Sequence, residues 1–95
     1  MSAALVMNML PQQRRLARAA LGLPNAERTS YRNKHYTSGK GDYHDAWVAL
    51  QLHGLAVLGT DDGLAVFRLT RAGARLALEA SEKVREADFL GVADA

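Results

Sequence analysis

The sequence predicts an α+β domain in which three main helices surround a small antiparallel hairpin, with a third short strand available before it. Three observations carry this. Residues 42–78 read as a helix, a glycine stop, a two-stranded hairpin and a second helix. Residues 11–21 add a helix with apolar side chains at helical spacing. Residues 31–37 are rich in tyrosine and threonine, which favour pleated surfaces. With 95 residues, 48% of them hydrophobic and 23% charged, the chain is one domain with a single small core.

Taken in order, residues 1–9 are apolar but lack a cap, and they and the tail after Leu90 are expected to fray. Pro11 suits a first helical position, since its missing N–H would have no partner there. Leu16, Ala17, Ala20 and Leu21 then share one face, with Gln12, Arg14, Arg15 and Arg18 largely elsewhere. Gly22 is a natural left-handed stop and Pro24 prevents continuation. Asp42 caps the next helix, and Asp45 adds a second anion at its positive end. Tyr43, Ala46, Trp47 and Leu50 form its buried stripe, with Trp47 at the centre of the core. Gly54 ends that helix, and Leu55 beyond it reaches back to Leu50.

Two strands, residues 55–60 and 64–69, follow around Asp61-Asp62-Gly63, whose Asp-Gly pair is hairpin-turn chemistry. Alternation sends Phe67 and Leu69 one way and Val66 and Arg68 the other. Thr70 caps a last helix through Gly73, Leu76, Ala77, Ala80, Val84 and Ala87, with Glu79 and Lys83 paired four apart. Trp47, Leu50, Phe67 and Leu76 make the expected core, and the small residues at 73, 77 and 80 admit a close neighbour.

Function is less legible. There is no cysteine, so disulfides and thiolate metal sites are excluded. Three scattered histidines lack ligand spacing, and neither metal nor cofactor is expected. No nucleophile elbow or phosphate-binding loop occurs, and His44 and Asp45 would point about 100° apart on a helix. A non-catalytic protein is expected. Residues 3–7 are too short an apolar run for a membrane span and have no basic flank, which argues for a soluble cytoplasmic protein.

The net charge of +2 conceals a polarity. Residues 11–41 hold seven cations against Glu27, a net +6, whereas residues 42–95 carry −4. Arg14, Arg15, Arg18, Arg28, Arg32, Lys34 and Lys40 could meet phosphates, with Tyr31 and Tyr36 interleaved for stacking and His35 beside them. Asp42, His44, Asp45, Asp61 and Asp62 form the opposing candidate surface, suited to a protein partner.

The pattern L-x-x-x-G-L, a hairpin, then F-R-L-T-R-A-G resembles the wing of winged helix-turn-helix regulators. Leu50, Gly54, Leu55, Phe67, Leu69, Thr70 and Gly73 carry the likeness. Residues 31–55 are also similar to small phage and prophage proteins with a pattern near Y-R-N-x-H-Y-x-x-G…D…W-x-x-L…G-L. There Arg32, Asn33, His35, Tyr36, Gly39, Trp47 and Leu50 match. The resemblance implies a winged-helix-like fold, a phage-type regulatory role and contact with nucleic acid. The helix that would read DNA nevertheless carries Asp42 and Asp45 and no Arg or Lys, and the wing tip would be Asp61-Asp62. Both would repel phosphates. A winged helix also places a further helix between the one at residues 11–21 and the one starting at Asp42, and it would have to fit within residues 25–38. Two functions follow: a nucleic-acid-binding regulator working through the basic segment, or a phage-encoded module that modulates a host or phage complex, such as a CRISPR-type defence system.

Overall fold

The computed structural model describes residues 9–92, so the fraying expected of residues 1–8 and 93–95 lies outside the described residues. Met9 itself packs against the core. The order is α1 (Pro11–Leu21), β1 (His35–Thr37), α2 (Asp42–Leu52), β2 (Ala56–Asp61), β3 (Leu64–Leu69), α3 (Arg71–Ala77) and a short 3-10 turn (Glu86–Phe89). The three strands form one antiparallel sheet in the order β1-β3-β2. This is an α+β fold. None of the described helices is long and apolar enough to cross a membrane.

Local chemistry explains most boundaries. Gln13 Oε1 accepts from the Leu10 N–H at 2.9 Å and closes the start of α1 behind Pro11. Gly22 ends it at a φ of 82°. A helix-stop motif closes α2: Leu55 N–H donates to Leu50 O at 2.9 Å, around Gly54 at a φ of 74°. The hairpin turn places Asp62 and Gly63 at φ 52° and 79°, the paired left-handed conformations of a type I′ turn. Thr70 Oγ1 accepts from Gly73 N–H at 3.1 Å, capping α3, and donates to Gly54 O at 2.9 Å.

The core lies between the sheet's inner face and the helices. Trp47, fully buried, stacks on Phe67 with ring centroids 5.6 Å apart, and Leu16, Leu21, Leu50, Leu69 and Phe89 close around them. Gly73 is a close backbone approach, since a Cβ there would overlap Leu55 O.

Three expectations are corrected. The cap of α2 is Gly41, at φ 98°, and Asp42 is the first helical residue with no capping bond. Tyr43 is exposed and Leu76 only half-buried, so neither belongs to the innermost layer. The short strand expected within residues 31–37 forms as β1, and the turns before it leave residues 25–38 without the further helix that a winged helix would place there. Finally, the last helix stops at Ala77 rather than running to Ala87, and Glu79 lies by Arg14 and Arg18 rather than Lys83. Tertiary bonds override the helical spacing there. Thr29 and Lys83 form a parallel bridge, Ser30 N–H donates to Lys83 O, and Lys83 N–H donates to Arg28 O. The chain beyond α3 is therefore an extended strap across the 28–31 loop.

That strap is locked by Glu82. Its carboxylate takes two bonds from Arg18 of α1, at 2.6 and 2.8 Å, and a third from the Glu79 N–H. Arg18 also donates to Ala77 O at 3.0 Å, at the end of α3. The Arg18 guanidinium bond holds the Glu82 carboxyl down at about 2, from an ordinary 4.5, although burial opposes this.

Two outcomes are expected. An exposed helical Gly→Ala change usually stabilises by about 0.5–1 kcal/mol. Gly73→Ala should instead destabilise by about 2 kcal/mol, lowering Tm by roughly 10 °C, because its Cβ must displace backbone. A melt at or above wild type would refute the close approach. The depressed Glu82 carboxyl contributes stability that is complete above its unfolded value of 4.5 and is lost as pH falls toward 2. Urea unfolding of wild type should therefore weaken across that interval, whereas Glu82→Gln should start less stable and show a flatter profile. Parallel profiles would exclude Glu82 as the titrating group.

Candidate nucleic-acid interface

The end of α1 leaves backbone carbonyls without helical partners, and the basic segment satisfies them. Tyr31 N–H donates to Leu21 O at 3.1 Å, Lys34 N–H to Ala20 O at 3.3 Å, and the Arg32 guanidinium to Ala19 O at 2.7 Å. The segment thereby enters the sheet at a fixed register. Asn33, buried, then acts as a strand residue through its side chain: its amide donates to Leu69 O at 3.0 Å, and its Oδ1 accepts from Leu69 N–H at 2.8 Å.

Alternation along β1 sorts the side chains between two faces. His35 and Thr37 face α2. The His35 ring lies 5.5 Å from Trp47, and Thr37 Oγ1 shares a 2.9 Å hydrogen bond with His44 Nδ1. Lys34 and Tyr36 take the opposite, outer face. Tyr36 pairs with Val66 and His35 with Phe67, so the same register carried one pair beyond β1 brings Lys34, two residues before Tyr36, opposite Arg68. Neither cation has a carboxylate partner among the described residues. Like charges directly opposite on a sheet normally destabilise it.

Tyr36 is held across this face. Its hydroxyl donates to Asp61 Oδ2 at 2.5 Å, from one edge strand to the other. That hydrogen bond, followed by burial and the Asp61 charge, pushes the phenol's ionisation up, so it remains a donor. The Lys34 ammonium rests 5.7 Å from the ring centroid. Between α1 and β1 an open groove is lined by Ala19, Ala20, Arg32, Lys34, His35 and Tyr36.

The basic segment is thus not a free arm. Arg18 is 9% exposed and committed to Glu82, so it cannot reach a phosphate. Arg14 donates to Leu78 O at 3.3 Å and lies 3.7 Å from Glu79, while Arg28 is tied to Ser81 and Ala80 O. Tyr31 lies on Gly22, where an added Cβ would fall 2.3 Å from its ring, and Arg32 sits 5.3 Å above it. His35 is half-buried, and desolvation lowers its pKa, which favours the neutral ring. Arg15 and Lys40 are exposed but lie in α1 and in the loop after β1. Arg32, Lys34 and Tyr36 are the predicted residues that the fold brings together. Arg68 joins them, although in the sequence it belongs to the acidic half. The alternation of β3, which sets Arg68 opposite to Phe67, was the available signal.

The acidic candidates also separate. Asp42 and Asp45 are exposed at the start of α2, beside Leu10, Gln12 and Gln13. His44 turns inward, its ring 5.4 Å from Phe67. Asp61 lies on the outer face holding Tyr36, and Asp62 sits in the turn. They form no single surface. Among the described residues, no three His, Asp or Glu side chains are grouped to hold a metal. Compared with models of protein families, with curated proteins and with solved structures, the chain matches none.

Proposed function

We propose that this is a small, non-catalytic nucleic-acid-binding protein of regulatory type, with Arg32, Lys34 and Arg68 contacting phosphates. The observation that carries the reading is the cross-strand placement of Lys34 opposite Arg68, with no carboxylate partner for either among the described residues. Holding two like charges together costs stability unless an anion sits over them. Arg32 adds a third cation at the adjoining groove. The α2 surface, which a winged helix would place in the major groove, is the acidic pole, so contact through the sheet fits the charge distribution better. The likeness to winged-helix and phage-type proteins is a consistent background and rests on sequence pattern alone. The reading carries a cytoplasmic location with it, where nucleic acid is met.

A second reading is favoured by the exposed Asp42 and Asp45 beside Leu10, and by Leu52, 80% exposed two turns along α2. A basic protein could dock there, as for a phage-encoded module acting on a host or defence complex. Loss of a co-purifying partner on Asp42→Asn/Asp45→Asn, with nucleic-acid affinity absent, would select this reading.

Fluorescence anisotropy with labelled DNA and RNA decides the first. Binding should weaken steeply with salt, and Lys34→Ala/Arg68→Ala should weaken it for every sequence, lowering the salt slope by about 1 per cation removed. Absence of any binding at low salt would overturn the proposal, as would an unchanged double variant.

A further inference from the structure

The outer sheet face has a second property beyond its charge. Val66 is completely buried there, yet it lies outside the core cluster and on the side turned away from Phe67, Trp47 and α2. Its cover is Tyr36. A phenol that starts on β1 and bonds Asp61 on β2 must cross β3, so its ring lies along the sheet instead of standing out from it. Three strands span about 10 Å, roughly the length of this reach. So placed, one ring face is turned toward Val66, its cross-strand partner. Tyr36 is still 39% exposed, which leaves the other face to solvent.

We infer that the outer face of the sheet binds single-stranded nucleic acid, with one unstacked base lying on Tyr36 and the adjoining phosphates on Lys34 and Arg68. The inference rests on the proposed nucleic-acid function and specifies its ligand. A ring lying flat offers nothing that enters a duplex groove, where base edges are read by projecting helices or strands. A flat aromatic face with cations at one end is instead what an exposed base and its backbone require. Lys34 has a flexible stem, so its ammonium can leave the ring for a phosphate while the base takes the vacated face. Asp61 is then a positioning residue, holding the ring down. With Asp62 it also sets a negative border at the turn end of the face, which directs the strand toward Lys34 and Arg68.

The test compares a labelled oligothymidylate, an oligouridylate and a duplex of equal length by anisotropy at low salt. The single strands should bind more tightly than the duplex. Tyr36→Leu keeps an apolar cover on Val66 but removes the ring, and should weaken single-strand binding about 10-fold or more with little change for the duplex. Tyr36→Phe retains the ring and should stay near wild type, whereas Asp61→Ala should fall between them. If none of the three probes binds, the proposed function itself fails. If binding depends on Lys34 and Arg68 but the duplex binds as well as the single strands, that function stands and this inference is overturned. An unchanged, folded Tyr36→Leu variant overturns it in the same way. Should Tyr36→Leu fail to fold, the wild-type preference between single strand and duplex still decides.

Discussion

The buried bond between Arg18 and Glu82 is the constraint on which the rest of the molecule depends. It joins the middle of α1 to a strap more than sixty residues later, and Arg18 reaches the end of α3 as well. Breaking such a pair by removing one partner leaves an uncompensated charge in the interior, a cost of about 3–5 kcal/mol. Once the strap is locked, its backbone pairs with the 28–31 loop, and that loop delivers residues 31–34 to the end of α1. From there β1 enters the sheet. The position of Lys34 and Tyr36 is thus the last step of a chain of contacts that begins in the core.

The sheet divides labour between its two faces. Inward, His35 and Phe67 pack with Trp47. Among the described residues the buried Trp47 Nε1–H finds no acceptor, a cost of about 1–3 kcal/mol that burial of so large a ring offsets. Outward, the same strands carry cations, a flat phenol and an acidic border. Asn33 makes this possible, because its side chain extends the β1–β3 pairing where the backbone of β1 has ended. The register that buries His35 is the register that places Lys34 opposite Arg68.

Several elements were legible because their signals are local. Gly22 and Gly54 stop helices, Asp62-Gly63 turns the hairpin, and Thr70 caps α3, each through bonds within a few residues. The helical spacing of residues 78–87 was misleading for the complementary reason. Spacing reports which face a segment could bury as a helix, whereas Glu82 and Lys83 find better partners in Arg18 and the 28–31 backbone. The candidate site was half legible. Lys34, Tyr36 and Arg32 stood out by type, but a row of cations does not say which are exposed, and Arg18 looks no different from Lys34 in one dimension.

The α+β class, the order of helices and hairpin, the turn and cap chemistry, the central place of Trp47 and the opposed charges of the two halves are all readable from the residues in order. Each follows from propensities, periodicity or composition that act over a few residues. Only the tertiary structure decided that Arg14, Arg18 and Arg28 turn toward the strap, that Asp61 is spent on Tyr36, and that Arg68 completes a cationic pair with Lys34. Those are partnerships between residues more than twenty positions apart. The free energy of each depends on burial and register, which exist only once the chain has folded.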